Sequence, residues 1–140
     1  MNRITPDDIQ RLPSKKHIFV YGSNLAGIHG KGAALTATKK FAATRGRCHG
    51  LDNNSYGIPT KDTRFKQLPI DKIKRYVDNF VLDAKTWNSE DDKLYFLVTE
   101  IGCGLAGHSP EDIAPLFRDC LELENVWLPE RFINILNNLK

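Results

Sequence analysis

His29 and His108 each stand inside a glycine-rich stretch, "GIHGKGAA" (27–34) and "GCGLAGHS" (102–109). Histidine titrates near neutrality, so either ring suits a general acid–base or a hydrogen bond to a sugar hydroxyl; the plainer alternative is an exposed loop histidine. Cys103 lies between Gly102 and Gly104, upstream of His108. That pairing is open to nucleophilic catalysis and equally to a small side chain filling a tight corner. Asn24 carries donor and acceptor on one amide, which suits vicinal hydroxyls, although asparagine is also an ordinary turn residue. Lys61 acts as a nucleophile only where burial or a neighbouring cation lowers its pKa. Arg64 could supply that cation, whereas Asp62 opposes it, and without help Lys61 is a solvated loop lysine. Phe65 and Tyr56 are available to stack on a base, with core packing as the default for both. No clustered carboxylates or cysteines accompany the histidines, so neither a metal site nor a cofactor is expected.

These residues need elements to hold them. "HIFVYG" (17–22) reads as a short buried strand stopped by Gly22, and "GAALTATKKFAATRG" as a helix with Ala33, Ala34, Ala37 and Phe41 on one face and Gly46 as its stop. "SYGIPT" (55–60) reads as a strand ended by Pro59. Ile70, Ile73, Val77, Phe80 and Val81 recur at helical spacing in "PIDKIKRYVDNFVLDAKTW". "KLYFLVTEIG" (93–102) is apolar enough for a central strand. After it Ser109, Pro110 and Asp112 form a helix start with a cap, a first-turn proline and a capping-box-like acid. "NVWLP" is a last strand and "ERFINILNNL" a closing helix, while "RCHGLDNN" (47–54) reads only as a polar loop. Pro6 and Pro13 bracket a turn or helix in an N-terminal extension over residues 1–15. Alternating strands and helices predict one α/β domain with a mostly parallel central sheet. Ligands of such sheets sit beyond the carboxyl ends of the strands; if the two strands preceding the glycine loops are neighbours, the loops face one another across a crevice. The first helix start has no acid in its opening turn, which leaves its positive dipole end available to an anion.

With 140 residues, 41% hydrophobic and 26% charged, the chain fits a single globular domain. No apolar run reaches a membrane span and the N-terminus lacks a leader-like stretch, so the cytoplasm is the expected location. Cys48, Cys103 and Cys120 fit no disulfide framework. Residues 1–75 hold 15 Lys/Arg against 5 Asp/Glu, and residues 76–140 hold 5 against 12. Either a basic surface meets phosphates or the two halves attract each other. The common phosphate motifs fail: Ile28 and His29 follow Gly22 and Gly27 where a P-loop needs Lys and Ser/Thr, and Leu35 stands where a dinucleotide fingerprint after Gly30 and Gly32 needs Gly or Ala.

"HGKGAALTATKKF", "SYGIPTKD" and "EIGCGLAGHSPEDI", in that order, resemble the macro domains, which bind ADP-ribose. The likeness is to the divergent class that includes the terminal ADP-ribose protein glycohydrolase and small macro-like proteins of phages and bacteria. It implies a three-layer α-β-α fold. The first loop, with Gly22, Ser23, Asn24, His29, Gly30, Gly32 and Ala33, would hold the distal ribose. The second, Gly102, Cys103, Gly104, Leu105, Ala106 and Gly107, would wrap the diphosphate with backbone amides. Lys61 matches the lysine that attacks the anomeric carbon in that class. Ala106 replaces its acidic partner, which leaves Glu100, Asp62 and His108 as substitutes nearby in sequence. The aspartate with which macro domains read adenine follows an N-terminal strand and has no clear counterpart here. The expectation is therefore a domain that binds ADP-ribose, a related NAD-derived nucleotide or an ADP-ribosylated macromolecule, with Lys61, His108 and Glu100 as the catalytic set if it hydrolyses an ADP-ribosyl linkage. A non-catalytic binding module is the alternative, and nucleic-acid binding through Arg45, Arg47, Arg64, Lys66, Lys72, Lys74 and Arg75 ranks third.

Overall fold

Ile18, Phe19, Val20 and Tyr21 are all buried, and their alternation divides them between two cores. That division requires a strand covered on both faces. In the computed structural model, which describes residues 3–104 and 107–139, this strand is β2 (His17–Asn24). It lies inside a six-stranded sheet with β1 (Ile4–Thr5), β3 (Gly50–Asp52), β4 (Ser55–Lys61), β5 (Tyr95–Val98) and β6 (Val126–Pro129). The order is β1-β6-β5-β2-β4-β3, and every pair is parallel except the β3–β4 hairpin.

Helix α1 (Gly32–Lys40) covers one face through Ala34 and Ala37, packed with Phe19, Tyr21 and Leu97. On the other face lie α2 (Ile70–Thr86), α3 (Pro110–Ile113) with the 3-10 helix Ala114–Glu122 that continues it, and α4 (Glu130–Asn138). Phe80 of α2 anchors that side, edge-on to Tyr56 and Phe96 at centroid distances of 5.1 and 5.5 Å. Such edge-to-face contacts add to the large area each ring buries. No described helix is long and apolar enough to cross a membrane.

Several boundaries differ from the sequence reading. Within the N-terminal extension of residues 1–15, Ile4–Thr5 pairs with β6 and Ile9 enters the core. "RCHGLDNN" supplies β3, which turns back onto β4 at Asn53 in the left-handed conformation (φ 56°). Strand β4 runs through Pro59, because β3 pairs only as far as Gly57 and the proline costs no bond on that edge. Helix α1 ends at Lys40 rather than Gly46, with Ala42 turned to φ 60°. Gly46 instead donates its N–H to the Gly27 carbonyl (2.8 Å), and the backbones pass so closely that a Cβ on Gly27 would lie 2.6 Å from the Gly46 Cα. After Ser109 only four residues are α-helical before the chain tightens into the 3-10 helix, where Pro115 has no N–H to give to an α-helical ladder.

Gly57 is fixed by a comparable approach, since a Cβ there would sit 2.6 Å from the Cys48 carbonyl oxygen. The Gly57→Ala variant should lose about 1–3 kcal/mol of stability in urea denaturation, the usual cost of overpacking.

Candidate functional site

The chain leaves β2 and β5 at the same edge of the sheet because the two strands pair directly and in parallel, from His17↔Tyr95 to Val20↔Val98. The two glycine loops therefore face each other, and a cleft of about 610 Å³ opens between them. Gly22, Ser23, Asn24, Gly30, Gly32 and Ala33 line it from the first loop, and Gly102 and Cys103 from the second. Lys61 at the end of β4 and Glu100 after β5 also line it. The crevice expected from adjacent strands is present.

Helix α1 opens onto this cleft. Its N-cap is Lys31, whose side chain makes no capping bond, and its first turn holds no acid, while Lys39 and Lys40 sit in its last turn. The opening N–H groups of an α-helix have no partner inside the helix, so those of Gly32, Ala33 and Ala34 and the dipole behind them favour an anion. The second loop is stitched internally: Cys103, Gly107 and His108 donate their N–H groups to Glu100, Gly104 and Gly102. Among the described residues Gly102 and Gly104 donate no backbone bond. Gly102 is held at φ 74°, where a Cβ would lie 2.8 Å from the Ile113 side chain. Gly104 and Gly107 are not among the lining residues, and Leu105 and Ala106 lie outside the described residues.

Most of the polar side chains singled out from sequence are occupied by the fold itself. His29 is buried, does not line the cleft, and places Nε2 3.0 Å from the Tyr21 hydroxyl. Burial lowers its pKa, outweighing the Arg47 carbonyl and the Asp52 carboxylate, which favour the charged ring. Tyr21 is pushed up to about 12, mainly by burial. His108 donates from Nε2 to the Leu68 carbonyl (2.7 Å) and accepts at Nδ1 from the Gln67 amide (3.2 Å), so it clips the second loop to the segment after β4 and also does not line the cleft. The Asn24 amide is spent at both ends on Ile28, donating to its carbonyl (2.7 Å) and accepting from its N–H (3.1 Å). The Ser23 hydroxyl donates to the Cys48 carbonyl. Glu100 is held by the Arg131 guanidinium, with contacts of 2.6 and 3.0 Å. Burial, then Glu100, pushes the Cys103 thiol up to about 11, so it stays protonated at neutral pH, contrary to a nucleophilic role.

Asp62 serves its own turn as well, accepting from the N–H groups of Arg64 (2.8 Å) and Lys66 (3.0 Å), and those bonds lower its pKa. Tyr56 packs in the core and donates to Asp83. Phe65 does not pack there: it is 50% exposed and lines the cleft. Lys61 is half-buried and has no carboxylate partner among the described residues. Together with Lys31 it gives the cleft positive charge. The described ion pairs do not join the basic half to the acidic half, apart from Lys74–Asp78 within α2, so the halves are not tied together by ion pairs.

A second groove of about 710 Å³ adjoins the cleft, sharing Thr99 and Glu100 with it. Ile4, Thr5, Pro6 and Asp7, at and just past the end of β1, line it opposite Pro129 and Arg131. The Thr5 hydroxyl is buried without a hydrogen-bond partner among the described residues. Sequence reading missed this groove because a two-residue strand carries no periodicity. Among the described residues no group of three or more His, Cys, Asp or Glu could hold a metal ion.

No family model and no curated protein matches the chain. A solved structure of a protein of unknown function from Bacteroides thetaiotaomicron is similar to it, with a TM-score of 0.63 and 17% identity over 91% of this chain and 96% of that one. The likeness shows the α/β fold alone.

His29, which is buried, and His17 and His49, which are partly buried, all have pKa values lowered by desolvation. Between the folded and unfolded pKa values the unfolded chain binds more protons, so stability rises with pH there and is lost as pH falls below about 6.5. Urea midpoints should drop between pH 7 and pH 5, and the drop should be smaller in His29→Gln.

Proposed function

We propose that the chain binds ADP-ribose, or a related NAD-derived nucleotide free or attached to a macromolecule, in the cleft between the two glycine loops. The observation that carries this reading is the uncapped, acid-free start of α1 opening onto a cleft that Lys31 and Lys61 make positive. A diphosphate would lie against the free amides of α1 and of Gly102, with the distal ribose toward Lys61. Adenine would lie in the groove beside β1; the candidate for the aspartate that had no clear counterpart in sequence is Asp7, which follows β1 and lines that groove. Thr5 lines the same groove, and its buried hydroxyl has no hydrogen-bond partner among the described residues.

Binding without turnover is the better-supported form of this reading. Ala106 takes the place of the acid, Glu100 is engaged by Arg131, and both ring nitrogens of His108 are engaged. Hydrolysis remains as a second reading because Lys61 lines the cleft without a carboxylate partner among the described residues. Its amine would attack the anomeric carbon of the distal ribose and break the bond to the acceptor, which departs with the bonding electron pair; water would then hydrolyse the lysine adduct, releasing ADP-ribose and restoring the free amine.

Calorimetry with ADP-ribose, AMP and ribose 5-phosphate tests the reading. Micromolar binding of ADP-ribose, with both fragments much weaker, is expected; no heat with any of them would refute it. Ala33→Glu should weaken ADP-ribose at least about tenfold by placing a carboxylate where the diphosphate lies, while leaving the thermal midpoint unchanged or higher, since an acid in a first turn favours the helix. Release of ADP-ribose from a modified substrate, abolished in Lys61→Ala, would establish the hydrolytic form. A salt-sensitive duplex or single-strand interaction in place of nucleotide binding would instead support the basic surface.

A further inference from the structure

Two apolar side chains at the cleft remain without a role. Phe65 and Ile28 line it, yet are 50% and 39% exposed. Each is held by a polar bracket made of neighbouring residues. Asn24 grips the Ile28 backbone from both sides. Asp62 accepts from the N–H groups of Arg64 and Lys66, its own N–H donates to the Lys66 carbonyl (2.7 Å), and Phe65 N–H donates to the Asp62 carbonyl (3.1 Å). Within this closed turn Phe65 adopts φ 65°, a left-handed conformation that a bulky residue rarely takes. Strain of this kind persists only where surrounding bonds enforce it, and it collects at ligand sites. The strained backbone here presents an aromatic ring to a ligand cleft instead of burying it.

The place of these side chains along the sheet is fixed by topology. Ile28 lies in the loop after β2 and Phe65 in the loop after β4, whereas the groove with Asp7 lies at the β1–β6 edge. Four strand spacings separate β1 from β4, about 19 Å at the usual distance between strands. That span suits an extended dinucleotide rather than a mononucleotide. With adenine at the β1 end and the diphosphate at α1, Phe65 and Ile28 flank whatever the distal ribose carries.

We infer that Ile28 and Phe65 form an apolar clamp for a near-flat, uncharged nitrogen heterocycle attached to the distal ribose; this rests on the ADP-ribose reading above. An aromatic ring and a branched aliphatic side chain receive the two faces of a flat ring. Lys31 and Lys61 in the cleft, with Arg64 and Lys66 on either side of Phe65 in the chain, oppose a cationic ring and so favour a neutral one. The ligand class is a dinucleotide of the reduced-nicotinamide type, bound intact.

The test is calorimetry with three probes, NADH, NAD+ and ADP-ribose, on the full chain and on Phe65→Ala, Phe65→Gly and Phe65→Trp. NADH should bind the unsubstituted chain roughly 3- to 10-fold more tightly than ADP-ribose, the gain expected of one stacked ring. NAD+ should gain less than NADH. Phe65→Ala and Phe65→Gly should both erase the NADH advantage while keeping ADP-ribose affinity, and Phe65→Trp should keep it. Glycine accepts φ 65° without strain, so Phe65→Gly should unfold at higher urea than Phe65→Ala. Equal loss of ring preference in two variants of unequal stability separates a ligand contact from a merely structural role. ADP-ribose binding with no NADH advantage, or an advantage that survives Phe65→Gly, overturns the clamp and leaves the nucleotide reading standing. Failure of all three probes to bind overturns both.

Discussion

The parallel pairing of β2 with β5 brings Val20 opposite Val98; β5 leaves the sheet there, while β2 continues along β4 and leaves it at Asn24. Everything at the site depends on how closely those two exits lie. Gly22 makes that approach workable: a Cβ there would lie 3.3 Å from the Thr60 hydroxyl and 3.6 Å from the Gly102 nitrogen. Three strand ends, those of β2, β4 and β5, therefore meet over one glycine. Thr99 reinforces the junction by donating its hydroxyl to the Val20 carbonyl (2.7 Å). The loops that follow cannot diverge, and the cleft between them is a consequence of sheet order rather than of loop sequence.

Glycine-rich loops gain little from side-chain packing, so something else must hold their shape. Here the polar side chains do so. His29 ties the first loop to Tyr21, Asn24 ties it to itself, and His108 ties the second loop to the start of the segment before α2. These bonds leave a cleft whose recognition surface is mainly backbone N–H, two lysines and two apolar side chains. Such a surface is suited to holding a phosphorylated ligand, because fixed amides need little reorganisation when an anion arrives. It is poorer in free acids and bases than its sequence suggests.

The parts of the fold with strong periodicity were legible in sequence: the buried run of β2, the spaced apolar face of α2, the apolar β5 and the Ser109 cap, whose hydroxyl accepts from Asp112 N–H. Short elements were not. β1 and β3 span two and three residues, too short for periodicity, and β1 pairs with β6 at the far end of the chain. Pro59 misled because a proline within an apolar run reads as a stop, whereas the β3 ladder on that edge of β4 has already ended at Gly57. The glycine loops and Lys61 could be assigned to one site from sequence; the fate of His29, His108, Asn24 and Glu100 could not. Each is decided by a partner whose position only the folded backbone sets, such as Leu68 for His108 or Arg131 for Glu100.

The central claim is that an anionic nucleotide sits where the α1 start and the second glycine loop converge. Amide chemical shifts recorded during an ADP-ribose titration test it most directly. The account predicts the largest changes at Gly32, Ala33, Ala34, Gly102 and Cys103, with α2 unmoved. Saturable shifts confined to the exposed basic residues of α2, or none at all, would contradict it.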